Sequence, residues 1–246
     1  MTKDNNGVVL LTGAAGGLGR AIARAVVASG RRVILVDRNA DALTEFATQL
    51  GKAAHPVQLD ITDHAKVDRI LDGLPAEFSR VDVLINNAGH DIGGRTRFDQ
   101  GSSDDWSGII QTNLIGTMRI TSAVLPVMVG RNRGHVVNVS SINAVRIVPD
   151  MAAYSASKAG IRMFTETIRG ELAETAIRIT EILPGLTRTG IIVTRYRGDR
   201  QKEQAYFEQF KMALEPDDVA RVILFALDQP PHVQIAEIMV LPVNRF

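Results

Sequence analysis

The chain contains no cysteine, which excludes a disulfide framework, a zinc ribbon and a thiolate nucleophile. It also lacks an excess of charge of either sign: 28 Lys and Arg stand against 27 Asp and Glu, a formal net charge of +1. That balance gives no general attraction for a polyanion, so no nucleic-acid partner is expected. No uninterrupted run of 18 or more apolar residues occurs, and no segment reads as a membrane span. The first residues, Met1 to Gly7, are polar and lack the apolar stretch of a secretory signal,. Pro- or Ser-rich spacers, low-complexity segments and internal repeats are missing too. What remains, over 246 residues that are 45% hydrophobic and 22% charged, is the mix expected of a soluble, cytoplasmic protein forming one domain over residues 1–246.

Short β-branched runs alternate with helical patterns. The candidate strands are Val8–Leu11, Val33–Val36, Val57–Leu59, Val81–Ile85, His135–Val139, Ile177–Leu183 and Ile235–Val240. Several are apolar nearly throughout, as strands covered on both faces must be. Between them, Ala21, Ile22, Ala25 and Val26 share a helical face that Gly30 ends, and Ile161, Phe164, Ile168 and Leu172 repeat at helical spacing,. A long helix is expected over Trp106–Val129, kinked or ended by Pro126,. Repeated strand–helix alternation predicts an α/β fold, a doubly wound parallel sheet with helices on both faces.

Thr12-Gly13-Ala14-Ala15-Gly16-Gly17-Leu18-Gly19 follows the first strand and opens an amphipathic helix. Glycines there permit a tight turn and a close approach of backbone to a pyrophosphate at the helix N-terminus, where free N–H groups and the helix dipole favour an anion. The spacing is TGxxxGxG. Asp37 ends the second strand 18 residues after Gly19, where a carboxylate would bind a ribose 2′-hydroxyl and repel a 2′-phosphate. Arg38 next to it is suited to that phosphate, but the adjacent carboxylate costs like-charge repulsion. The expectation is therefore NAD, with NADP less favoured.

Tyr154-Ser155-Ala156-Ser157-Lys158 sets a phenol and an ammonium four residues apart on one helical face,. A phenol of pKa near 10 is a poor base at neutral pH, and lowering it by roughly three units takes about 4 kcal/mol of preferential phenolate stabilisation. A neighbouring Lys⁺ and an oxidised nicotinamide ring are suitable sources. Ser140 and Ser141 end the fifth strand, where a hydroxyl faces a ligand crevice,. Asn113 sits among Ile109, Ile110 and Leu114, a polar group that needs a partner if buried,.

In order and spacing, Thr12 to Gly19, Asp60, Asn86-Asn87-Ala88-Gly89, Asn113, Ser141, Tyr154/Lys158 and Pro184-Gly185 resemble the short-chain dehydrogenase/reductase family, in its compact branch of about 250 residues,. The resemblance spans Val8 to Thr189. It implies a Rossmann-type sheet of seven strands and a nicotinamide cofactor held by Gly13, Gly16, Gly17, Leu18, Gly19, Asp37 and Arg38. Asp60 and Ile61 would lie at the adenine, and Asn87, Ala88 and Gly89 along the adenosine side. Pro184, Gly185, Thr187 and Thr189 would hold the nicotinamide carboxamide, and Tyr154 and Lys158 would border its ribose. It further implies hydride transfer between the nicotinamide and an alcohol or carbonyl carbon, without a metal. In that chemistry Tyr154 is general acid/base, Ser141 holds the substrate oxygen, Lys158 depresses the phenol pKa and Asn113 holds a proton-relaying water. Homotetramers or homodimers, built on the helices around Trp106–Val129 and Tyr154–Leu172, are also implied. A nucleotide-binding regulator without catalysis would not need Ser141, Tyr154 and Lys158 together.

The substrate is expected to be a small alcohol or carbonyl compound. Ser141, Asn143, Arg146, Tyr154 and Gly185 are candidate contacts, His90–Arg97 and Asn143–Arg146 shape the pocket, and Gly190–Met212 forms a lid. Most lid charges read as solvated surface, with one of Arg95, Arg146, Arg188 or Arg195 a candidate for an anionic substrate group. His90 and Asp91 read as loop or pocket residues. The tail, Ile238 to Phe246, lacks the Asp-Gly-Gly turn of many relatives. It looks more like family members acting on small hydroxy acids or hydroxy amino acids, serine-type dehydrogenases among them.

Overall fold

The computed structural model describes residues 7–210 and 212–243. Met1–Asn6, Lys211 of the expected lid and the final Asn244-Arg245-Phe246 of the tail lie outside them. Seven parallel strands form one sheet: β1 (Val8–Thr12), β2 (Arg32–Asp37), β3 (Ala54–Gln58), β4 (Val81–Asn86), β5 (Gly134–Val139), β6 (Ile177–Pro184) and β7 (Glu237–Val240). Their order across the sheet is β3-β2-β1-β4-β5-β6-β7. The third strand therefore begins three residues before its expected start and ends one residue early, and the last starts two residues late. Val57-Gln58-Leu59 was too short an apolar signal to reveal an edge strand that includes His55 and Pro56,.

Each strand sends alternate side chains to opposite faces. Val9 and Leu11 of β1, Leu35 of β2 and Ile85 of β4 pack against α1 (Gly17–Ala28), α2 (Ala40–Leu50) and, through Val219, Ile223 and Leu227, a later helix over Pro216–Leu227. Leu10, Ile34, Leu84 and Val136 face the other way. They meet the short α3 (His64–Val67), α5 (Thr117–Gly130) through Ile120, Val124 and Met128, and α6 (Ala152–Glu171) through Ile168. The chain winds outward from β1 to β3, then returns to start the other half at β4. Beyond the carboxyl ends of β1 and β4, the connections diverge and leave a crevice.

The long helix starts earlier and ends later than expected. α4 (Ser103–Ile110) passes through a wide π turn, Gln111–Gly116, directly into α5. Pro126 neither ends nor breaks it, because the carbonyl it leaves without a helical partner belongs to exposed Ser122,. The whole run, Ser103–Gly130, is long and apolar enough to cross a membrane by length and composition. Its buried side, Ile109, Ile120, Val124 and Met128, is spent on the core.

Candidate active site

A cavity of about 650 Å³ fills the crevice. One end is built by the glycine loop. Gly13 adopts φ +67°, and a side chain there would come within 2.8 Å of the Ala88 backbone. A Cβ on Gly19 would overlap the Gly13 carbonyl. Gly16 precedes α1 in extended conformation, with no side-chain cap and no acidic residue in the first turn. The first N–H groups of α1 are thus left for an anion, with backbone able to approach it closely. Thr12, absent from the expected contacts, completes this loop. Its hydroxyl accepts the N–H groups of Asn87 and Ala88, at 3.0 and 3.1 Å, while the Asn87 amide donates to the carbonyls of Thr12 and Gly13. Asn87 and Ala88 therefore shape the cradle while lining it. Leu18, Asp60, Ile61, Gly89, Pro184, Gly185, Thr187 and Thr189 line the same cavity. The Asp60 carboxylate turns onto the Thr62 N–H and hydroxyl; partial burial pushes its pKa up, but these hydrogen bonds prevail and hold it below the usual range. The loop, the groove and the open helix terminus fit a dinucleotide.

The Asp37 carboxylate is occupied by backbone: Oδ2 accepts Ala15 N–H and Oδ1 accepts Asn39 N–H, each at 3.0 Å. Arg38 and Asn39 line the rim beside it. A carboxylate engaged by two amides has its charge partly answered and serves as a brace for the loop, so its presence alone does not bar a phosphate next to Arg38.

Ser141, Tyr154 and Lys158 meet at the other side of the cavity, brought together by the end of β5 and the first turns of α6. The Ser141 hydroxyl acts on the phenol, lowering its pKa against burial, and accepts Asn143 N–H at 3.2 Å. The Lys158 ammonium donates to the Val139 carbonyl at 2.9 Å and lies 5.7 Å from the Tyr154 ring centroid. Burial holds its pKa down to about 8, against the opposing pull of Glu181 and Asp91. The phenol departs from expectation. Burial and the charge of Asp91 hold Tyr154 well above its ordinary value, and the opposing influences come from Ser141 and Arg195, not from Lys158. Within the protein alone desolvation is the largest influence on the phenol, and of the two expected sources of depression, Lys158 and the oxidised nicotinamide ring, the lysine is not among the groups that lower it,.

Asn113 sits in the middle of the π turn and is buried. Its Oδ1 accepts His90 N–H at 2.9 Å, and Nδ2 donates to the His90 carbonyl and to Ser157 Oγ. The side chain pins the loop after β4, with both Nδ2 hydrogens engaged and one acceptor position of Oδ1 filled by His90,. His90, as expected, is a pocket residue: its ring contacts Thr112 and burial lowers its pKa. Asn143 and Arg146 line the cavity near Ser141.

Over the cavity lie α7 (Ile191–Arg195) and α8 (Arg200–Glu208), where the lid was expected. Asp199, Arg200 and Lys202 are solvated, Asp199 serving as the cap of α8. Arg188 leans over Phe207 and pairs with Glu215, away from the cavity lining. Arg195 is different. It is buried and pairs with the fully buried Asp91 at 2.6 Å. Tyr206, also unforeseen, packs beneath Arg195 and Arg95. No spacing pattern could pair residues 104 positions apart. Elsewhere, Glu166, Glu181 and Glu237 bring carboxylate oxygens within 4.8 Å of one another, but Arg162 pairs with all three, making a guanidinium-centred network.

The family model described as short chain dehydrogenase matches residues 7–199. The NADP-dependent 3-hydroxy acid dehydrogenase YdfG of Escherichia coli is 36% identical over 239 residues, 97% of this chain and 96% of its own. A solved structure of the closed form of serine dehydrogenase complexed with NADP+ superposes with TM-score 0.94 at 36% identity, covering 97% of this chain and 96% of that one. An actinorhodin polyketide ketoreductase with NADPH gives TM-score 0.85 at 29% identity, covering 98% of each chain. These relatives overturn the expected preference for NAD over NADP. The physical reason is that the NAD expectation needs a free carboxylate at the end of β2, whereas Asp37 is tied to the glycine loop and leaves Arg38 beside the rim.

Proposed function

Since the chain belongs to the short chain dehydrogenase family and is an oxidoreductase acting on CH–OH groups, we propose that it interconverts a small 3-hydroxy acid and its oxo form with NADP(H). The convergence of Ser141, Tyr154 and Lys158 on one cavity with the glycine-loop cradle carries this reading. The similarity to YdfG and to serine dehydrogenase supports the substrate class and the cofactor. When bound, the nicotinamide supplies the hydride acceptor or donor and, in its oxidised form, a positive charge.

Tyr154 exchanges the proton of the substrate hydroxyl, accepting it in oxidation and returning it in reduction. Ser141 lies beside the phenol and turns its hydroxyl proton to the substrate oxygen as negative charge develops there. Lys158, held by Val139, borders the cavity as a positioning and electrostatic group. Asn113 fixes the loop that carries Gly89 and His90. Gly13, Gly17 and Gly19 admit the pyrophosphate, and Arg38 receives the 2′-phosphate. α7 and α8 act as a lid that excludes water.

Exposed Phe98 stacks on Trp106 at 4.3 Å, and with exposed Met118 and Met163 it leaves apolar surface on α4 to α6, which supports assembly of the chain into dimers or tetramers through these helices. The deciding experiment is kcat/KM for a panel of 3-hydroxy acids, polyols and simple secondary alcohols with each cofactor. The expected leaders are a 3-hydroxy acid and NADP+; a polyol or simple alcohol in first place refutes the substrate class.

A further inference from the structure

The outer end of the cavity holds an incomplete charge arrangement. Arg195 is the last residue of α7, and its side chain is 5% exposed. Its Nε and Nη2 both converge on a single oxygen, Oδ2 of Asp91, at 2.7 and 2.6 Å. Its Nη1 is buried with no hydrogen-bond partner at normal length, and the Tyr206 hydroxyl interacts with the guanidinium as it does with that of Arg95. A guanidinium carries five N–H donors, and buried donors are otherwise paired. Two donors are thus fixed by Asp91 while another nitrogen stays unused in a side chain that lines the cavity. The guanidinium carbon lies 4.9 Å from the Tyr206 ring centroid, which sets the plane of the fork,. Arg95 approaches the same ring at 5.6 Å and lines the same cavity.

We propose that Arg195, assisted by Arg95, receives the carboxylate of the substrate, and that Asp91 is the positioning residue that holds Arg195 for it; this rests on the hydroxy-acid reading above. Two guanidinium groups against one carboxylate leave one positive charge in excess at this end, the complement of a monoanion. A guanidinium with no counter-ion would be costly to bury. Asp91 offsets that cost without using Nη1, so the arginine is preorganised and still has a donor to give. Arg195, Arg95, Ser141 and Tyr154 line the same cavity of about 650 Å³, so one small molecule can engage the anion subsite and the reacting hydroxyl together. The preference for an acid over a neutral alcohol is then set in this corner, and Ser141 and Tyr154 are indifferent to it.

The test compares kcat/KM for 3-hydroxypropanoate and for its uncharged methyl ester, both with NADP+. Removing Arg195 alone strands the Asp91 carboxylate, so the main variant is Asp91→Asn with Arg195→Gln, which replaces a charged pair by a neutral one. The acid-to-ester ratio is expected to fall roughly 10- to 100-fold, mostly through KM for the acid. Arg95→Gln, which leaves the buried pair intact, should lower the ratio by a smaller factor and gives an answer even if the double variant folds poorly. Arg200→Gln, on the solvated side of α8, should leave the ratio at its wild-type value. A wild-type ratio in both the double variant and Arg95→Gln overturns the inference while leaving the hydroxy-acid reading in place. A wild-type enzyme that does not distinguish acid from ester overturns that reading itself, and this inference with it.

Discussion

Lys158 offers the sharpest quantitative consequence of the way the site is buried. Burial brings its pKa from the ordinary 10.5 to about 8, whereas in the unfolded chain the ammonium persists to about pH 10.5. Between these values the unfolded state binds a proton that the folded state does not, so stability rises with pH across this window. The penalty is fully present below pH 8 and is relieved as the folded lysine deprotonates. At roughly 1.4 kcal/mol per pH unit, the difference between these two values amounts to about 3 kcal/mol, most of it recovered between pH 7 and pH 10. Lys158→Met removes the titration while roughly keeping the shape. Urea and thermal unfolding of both cofactor-free proteins at several pH values in that range give the difference directly. The wild type should gain about 2–3 kcal/mol relative to the variant, or about 5–10 °C in relative Tm. Tyr154 is present in both proteins, and its raised pKa lies beyond the window, so it cancels. Parallel stability curves would refute the argument, for they would mean that the ammonium is no more costly to hold at Val139 than in water.

Tyr154→Phe should keep the fold and NADP+ affinity, because the ring remains, yet lower kcat by roughly 10²–10⁴-fold; near-normal turnover in a coupled absorbance assay would remove Tyr154 from its role. Gly13→Ala combines a positive φ with a Cβ 2.8 Å from the Ala88 backbone, and should cost about 1–3 kcal/mol in chemical denaturation as well as weakening NADP+ in a binding titration. Arg38→Gln should raise KM for NADP+ by about tenfold or more and leave KM for NAD+ nearly unchanged. Phe98→Asp should weaken self-association, detectable as a lower mass by light scattering.

The elements that could be read from residue order are those with local causes. Runs such as Val33–Val36 and Val81–Ile85 are too apolar for any place but a sheet covered on both sides, and the glycine loop needs its glycines because of φ and close backbone approach at Gly13 and Gly19. The edges were harder: β3 includes His55 and Pro56, which strand patterns disfavour, and its neighbour β2 supplies the pairing that makes it a strand. Pro126, expected to kink or end the long helix, lies inside it, and the helix continues to Gly130.

Residue types and their spacing thus determined by themselves the layered parallel fold, the dinucleotide cradle and the trio Ser141, Tyr154 and Lys158, since each follows from helical or strand periodicity and from short-range backbone needs. Only the tertiary structure decided how those groups are charged and occupied. Asp37 braces Ala15 and Asn39, Asn113 ties His90 to Ser157, and burial with the charge of Asp91 raises the pKa of the Tyr154 phenol. Asp91 meets Arg195 in a buried pair from 104 positions away. Hydrogen-bond occupancy and desolvation depend on which distant groups arrive at the same place, and that is a property of the folded chain alone.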